Sequence, residues 1–412
     1  MRLDEDRALT GHDWMLISFC ILMSFVDGFD TFSIAFAGPA MQSDLAISPS
    51  VLGSIFSAGV IGGMFGALPS AYVEMKMGRR TLLLLCIIWF SVGAILTAIT
   101  TSGHVLIAVR FFAGMGLGMA VPVIQGAMTD SLPQRVSGRG FSSVLCAMPA
   151  GGMIGGFIAA ETIPRFGWQS LFYIGAALPL VLLPMLYKTF PTNPATGSAA
   201  NRQPDMPVGS RQMGPYRSLF REGGRALLIL LATGFFSASL SYSLLSWTPA
   251  ILAGKGLGIE ISSMAGGILS GGAIVTMLAI GYLVDRKDPK VIAVVCYLAA
   301  AFVIVSLGYA TGAAHWMLAL AFLAGCFGVG TQAAVSYLLA HVVRRELRVA
   351  ALSVGMIASR TGGSAGPFVI GILAQAGIGP AELFVFIACL AIIVAGCVLV
   401  YAWYGRAQAS FA

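Results

Sequence analysis

Long apolar runs separated by short polar loops set the pattern of this chain. Mostly apolar stretches lie near 14–40, 51–73, 81–101, 104–129, 138–161 and 168–190, and again near 224–252, 261–284, 290–311, 315–340, 349–376 and 381–404. A helix rising 1.5 Å per residue needs about 20 such residues to cross a hydrocarbon core about 30 Å thick. The pattern therefore predicts an all-α membrane protein of twelve transmembrane helices. The stretch 191–223 breaks the rhythm. It is rich in Pro, Gly, Ser and Arg and reads as a cytoplasmic connector with one short amphipathic piece near Tyr216–Arg221. Residues 1–190 and 224–412 are then two six-helix halves.

Composition narrows the class. Of 412 residues, 58% are hydrophobic and 10% charged, against about 25% charged in a soluble protein. Such a chain has too little polar surface to face water and faces lipid instead. The net charge of +7 does not point to nucleic acid, because the basic residues fall in short clusters between apolar runs. The seven cysteines all lie inside apolar stretches without metal or redox spacing, so they read as small core residues. The charged start and the long run after Trp14 predict a retained first helix rather than a cleaved signal.

Loop charge gives the orientation. With the N-terminus inside, 20 of the 24 Lys and Arg fall in cytoplasmic segments and two, Arg165 and Lys255, in outer loops. The positive-inside rule then puts both termini and the connector in the cytoplasm. A shift of 210 residues superimposes the halves: Pro39-Ala40 falls on Pro249-Ala250, Lys76 on Arg286, Arg80 on Lys290, Gly118 on Gly328, Gly152 on Gly362 and Gly156 on Gly366. Two six-helix halves of like orientation form the parallel repeat of one large transporter class, which carries substrate near the bilayer midplane. Gly151, Gly152, Gly155 and Gly156, with Gly362, Gly363 and Gly366, are spaced for close helix packing. The GMGLG at 114–118 lies mid-span without a preceding strand, and no GxxxxGK[ST] occurs, so nucleotide-driven transport is not expected.

Four ionisable residues fall deep within spans: Asp27, Asp30, Arg110 and Arg360. Each costs about 3 kcal/mol or more at the bilayer centre unless paired or hydrated, which makes function the default reading. Counted along the helices, all four fall in one middle layer, and Asp27 and Asp30 share a face. An Asp–Arg110 pair between spans one and four is expected. Gln125, Gln332, Tyr242, Ser246, Trp247 and Phe29 lie at similar depth as candidate substrate contacts, although Trp247 fits an interfacial aromatic belt equally well. Glu74, Asp130, Glu161, Asp285 and the four histidines lie at span ends and read as anchors. No metal site is predicted.

The loops GYLVDRKDPK at 281–290 and AYVEMKMGRR at 71–80 resemble the GxxxDRxGRR signature of the major facilitator superfamily, at equivalent places in both halves. In the first copy Ala71 replaces the Gly and Met75 the Asp, with Glu74 one residue out of register. The resemblance implies an inner gate at Lys76, Arg80, Asp285 and Arg286, with the first-half latch altered. DGFDTFSIAFAGP at 27–39, RFFAGMGLGMAVP at 110–122, GGFIAAETIPRFGWQSLF at 155–172, LLSWTPAIL at 244–252 and SRTGGSAGP at 359–367 are similar to the aromatic acid:proton symporter family. That likeness implies import of benzoate-type acids, with Asp27, Asp30 and Arg110 in proton coupling and Arg360 and Gln332 at the substrate. Val123 departs from the polar residue expected after Pro122.

The expected function is therefore proton-coupled import of an aromatic carboxylate by alternating access across a bacterial-type cytoplasmic membrane. The proton is the only coupling ion and no other cofactor is expected. A monomer binding a small organic acid, and no nucleic acid, completes the expectation. Rival readings are a proton antiporter exporting drugs or metabolites, and a symporter of a non-aromatic carboxylate. An enzyme is not expected, since no side chains stand at catalytic spacing.

Overall fold

The computed structural model describes residues 9–131, 134–190, 213–284, 286–311, 314–343 and 347–410, with side chains at 129–131, 134–142, 213–218, 222–223, 348–350 and 405–410 set aside. Among the described residues every regular element is helical. The helices are α1 (Gly11–Asp44), α2 (Pro49–Ala67), α3 (Ser70–Met77), α4 (Arg79–Ile99), α5 (Gly103–Ser131), α6 (Gln134–Phe166), α7 (Gln169–Leu180) and α8 (Leu183–Thr189). After the connector come α9 (Met213–Gly254), α10 (Ile259–Leu283), α11 (Pro289–Tyr309), α12 (Ala314–Ala324), α13 (Gln332–His341), α14 (Arg348–Gln375) and α15 (Pro380–Ser410).

Eleven of these segments, counting α7–α8 and α12–α13 as one each, are long and apolar enough to cross a membrane. The twelfth, α14, has the length at 28 residues. Its Arg360, Ser359, Thr361 and Ser364 and its glycines dilute its apolar character. With α14 the count is the expected twelve.

Local chemistry explains the ends. Thr10 caps α1: its hydroxyl accepts from the Asp13 amide, while the Asp13 carboxylate accepts from the Thr10 amide at 2.8 Å. This reciprocal pair satisfies two otherwise orphaned donors. The stretch expected as one span at 51–73 is broken, because α2 stops at Ala67 and α3 restarts after Pro69. Proline has no amide hydrogen to continue the ladder. Residues 191–212 of the connector lie outside the described residues. Its remainder is helical and joins the seventh span through Gly224, whose φ of 47° and ψ of −135° suit glycine alone.

By contacts the chain divides into two compact units, 1–47 with 58–203, and 48–57 with 204–412. In the first, α1 packs along α6 and α4 along α5 and α7. A methyl on Gly28 would strike the Met148 carbonyl, and one on Gly151 the Phe25 carbonyl, so α1 and α6 meet backbone to backbone. In the second unit α9 packs along α14 and α11 along α15, with Gly362 against the Phe235 carbonyl. Residues 48–57 join this unit: the Ser57 hydroxyl donates to the Ser364 carbonyl at 2.7 Å.

The repeat is present in these contacts but is not gapless. Gly62 meets Phe111 where Gly272 meets Phe322; Gly114 meets Gly59 where Gly325 meets Leu269; Gly118 meets Gly63 where Gly330 meets Ala273; Gly151 meets Phe25 where Gly362 meets Phe235. The first three spans of each half keep the 210 shift. Gly272 lies 210 residues after Gly62 but the Phe322 it meets lies 211 after Phe111, so the next span runs one residue out. A π-helical turn at Gly325–Val329, closed by a Gly330 amide to Gly325 carbonyl bond of 3.0 Å, absorbs one more. The expected pairing is thus corrected: Gly118 matches Gly330 rather than Gly328, and Gly151 rather than Gly152 matches Gly362.

Candidate functional site

The first unit carries a buried charge pair. Arg110 on α5 donates through Nη1 to Asp30 Oδ1 and through Nη2 to Asp30 Oδ2, each at 2.9 Å, and more weakly to the Asp30 carbonyl at 3.4 Å. Both residues are 3% exposed. The parallel fork is the strong form of a carboxylate–guanidinium contact. It answers the desolvation cost of two charges in an apolar bundle, since removing either alone leaves the other buried without its partner. Nη1 and Nη2 are thus occupied, while Arg110 Nε is buried without a hydrogen bond. The Phe172 ring on α7 lies 5.9 Å from the guanidinium carbon. Of the two acids expected near Arg110, Asp30 makes the bond. Asp27, one turn earlier and half-buried, accepts from the Thr31 hydroxyl at 3.5 Å.

The second unit carries the other intramembrane cation. Arg360 is half-buried on α14, two residues before the glycine that touches α9. Among the described residues it makes no hydrogen bond or ion pair. Tyr242 on α9 is half-buried, its ring against Gly363, which places it one helix contact from the Arg360 turn. Gln332 is half-buried and begins α13 three residues after the π turn ends at Val329, a distortion frequent at functional sites. Gln125 is half-buried on α5, in the first unit.

Two expected substrate contacts are placed elsewhere. Phe29 is 1% exposed, and its ring fills the space over Gly155 and Gly175, so it serves the packing of α1 against α6 and α7. Trp247 is 3% exposed. Its indole donates to the Pro367 carbonyl at 2.9 Å and meets the Phe56 ring edge-on at 5.5 Å. It is neither a membrane-belt residue nor open to a ligand, because its one polar atom is satisfied inside the helix packing.

The loop cations are held by aromatic rings. Lys76 lies 4.6 Å over Tyr72, and Arg286 lies 4.1 Å over Tyr282, at the same place in each repeat. Arg80 stacks on Tyr187 at 4.1 Å, and Lys290 approaches Tyr401 at 5.6 Å. Asp285 lies outside the described residues. Glu74, the acid one residue out of register, pairs with Arg79 at 2.6 Å. On the opposite side Lys255 donates to the carbonyls of Leu307, Gly308 and Ala310, at 3.2, 2.7 and 2.8 Å, capping α11. Partial burial there lowers the ammonium pKa below its usual value. No group of three or more His, Cys, Asp or Glu gathers among the described residues.

Sequence reasoning missed Tyr72 and Tyr282, although their spacing of 210 was there to read. It also missed Phe172 and the link from the Trp168 indole to Asp44 at 2.9 Å.

A twelve-span helical chain built as two repeats, with charges buried at mid-span, defines a secondary transporter, and the chain belongs to the Major Facilitator Superfamily, whose model matches residues 20–331. It is similar to the 4-hydroxybenzoate transporter PcaK of Pseudomonas aeruginosa, 29% identical over 84% of this chain and 83% of that one. It is also similar to the gallate transporter of Pseudomonas putida, at 27% over 95% and 94%. The 3-(3-hydroxy-phenyl)propionate transporter of Escherichia coli is 27% identical, over 89% and 88%. Among solved structures, the D-xylose-proton symporter shares the fold at a TM-score of 0.77 and 16% identity, over 93% of this chain and 97% of that one.

Proposed function

We propose that this protein imports an aromatic carboxylate together with a proton, with its termini on the cytoplasmic side of a bacterial cytoplasmic membrane. The reading is supported by the relatives named for hydroxylated aromatic acids. The observation that carries it is Arg360: a half-buried guanidinium at mid-helix that no described side chain neutralises. A permanent cation in that layer is costly, and a substrate carboxylate is the complement that relieves it. Tyr242 and Gln332, in the same unit as Arg360, are the accompanying polar contacts to the ring substituents. No bond-making chemistry and no cofactor beyond the coupling proton is assigned.

Asp30 is the proton carrier in this scheme. In the empty carrier it is ionised and held by Arg110. Taking up a proton breaks the fork and leaves Arg110 charged. A carboxylate and one proton together add no net charge, so empty and loaded carriers move the same charge through the membrane. The ligand drives the cycle only by its differential affinity for the states along it. Lys76, Arg80, Asp285 and Arg286 serve the cytoplasmic gate.

The test is uptake of labelled 4-hydroxybenzoate, benzoate and gallate into proteoliposomes with and without an inward proton gradient. Gradient-driven accumulation of at least one of them supports the reading. Transport confined to dicarboxylates or sugar acids, or export of the aromatic acids against a gradient, overturns it.

A further inference from the structure

We infer that Phe172 is a positioning residue for proton coupling, its ring face supporting the Arg110 cation when Asp30 takes up its proton. The inference rests on the proposed function and extends it to a residue on a third helix. Phe172 is 1% exposed and its ring centroid lies 5.9 Å from the guanidinium. Arg110 uses Nη1 and Nη2 on Asp30 and leaves Nε buried with no acceptor. A ring quadrupole attracts a nearby cation, and the attraction grows with desolvation.

The ring is held from the far side. Trp168, four residues earlier, meets Phe172 edge-on at 5.9 Å, and its indole donates to Asp44 at 2.9 Å. Asp44 is the last residue of α1, the helix that carries Asp30. The contacts thus form a closed loop from Asp30 through Arg110, Phe172, Trp168 and Asp44 back to α1. The loop clamps the start of α7 over the charge pair.

The direction of the effect follows from the two protonation states. With Asp30 ionised, Arg110 belongs to a neutral pair and draws little from the ring. With Asp30 protonated, Arg110 is a lone cation, and the ring face adds to the Asp30 backbone carbonyl, which lies 3.4 Å from Nη2, as an electron-rich neighbour. The ring therefore favours the protonated state. Of the helices packed around the pair, α2 holds no ionisable residue, α1 also carries Asp27 one turn before Asp30, α7 carries Tyr173 in an exposed position, and Arg79 at the start of α4 pairs with Glu74. On α6, Glu161 and Arg165 pair with each other in an exposed position.

The experiment replaces Phe172 by phenylalanine analogues carrying more fluorine, which keep the shape while draining the ring face of electron density. The full-length protein in proteoliposomes is assayed for 4-hydroxybenzoate uptake against outside pH, with thermal unfolding of each analogue as the folding control. The half-maximal point should move to lower pH as fluorine is added, by about one unit for the fully fluorinated ring, while Phe172→Tyr keeps the native profile. A profile that stays fixed across folded analogues overturns the inference. If the unsubstituted protein shows no gradient-driven uptake, the proposed function fails instead, and the two failures are thereby distinguished.

Discussion

Arg110 grips Asp30 by two parallel hydrogen bonds of 2.9 Å, across 80 residues of sequence. Neither partner has meaningful access to water. Breaking such a pair from one side costs about 3–5 kcal/mol, because the remaining charge is buried without its complement. Arg110→Leu should therefore lower the thermal midpoint of the purified protein sharply. The double variant Asp30→Asn, Arg110→Leu should recover much of that loss. Equal damage in the single and double variants would mean that packing, rather than charge, holds the site.

Arg360 predicts the opposite behaviour. It has no described partner, so Arg360→Gln should leave the unfolding midpoint within the range of an ordinary exposed substitution. Losing charge-assisted bonds to a carboxylate costs about 1.5–3 kcal/mol, so binding of an aromatic acid should weaken about 10- to 100-fold. Arg360→Lys should restore only part, since an ammonium keeps the charge but not the fork. Equilibrium binding on purified protein checks both variants.

Helix contact should respond to single glycines in a graded way. Gly151→Val and Gly362→Val each drive a side chain into a neighbouring carbonyl, and overpacking of this kind costs about 1–3 kcal/mol or more. Gly396→Ala meets nothing within 4 Å and should be neutral or stabilising by up to ~1 kcal/mol through helix propensity. Unfolding midpoints of the three variants order them.

The π turn offers a test of register. Deleting Phe327 from Gly325–Val329 would restore the four-residue spacing that Gly114 and Gly118 keep in the first half. It would also turn Gln332 by about 100°. Helix content by circular dichroism should persist while binding of the aromatic acid falls at least tenfold. Unchanged binding would detach Gln332 from the substrate.

Much of this molecule was legible in its sequence, for a physical reason. Lipid tolerates few polar groups, so the spans, the loop charges and the lone Asp30 and Arg110 stand out against an apolar background. The glycines at 151 and 362 were legible as packing for the same reason. What escaped depends on single residues. One extra residue ahead of Phe322 and one more in the π turn shift the repeat without altering hydropathy, so Gly118 was paired with the wrong glycine. Phe29, Phe172 and Trp247 have side chains that suit packing, stacking or lipid equally well. Only coordinates separate the ring over Gly155 from the ring over Arg110. Glu74 looked misplaced beside Met75, yet it reaches Arg79 of the same loop.

Proton coupling through Asp30 is the central claim, and Asp30→Asn in proteoliposomes tests it most directly. Labelled 4-hydroxybenzoate uptake is measured in two modes, uphill under an imposed proton gradient and as exchange against unlabelled substrate at equal pH. The account predicts that Asp30→Asn abolishes uphill uptake and retains exchange. Loss of both modes in a variant that remains folded, or uphill uptake at the native level, would contradict it.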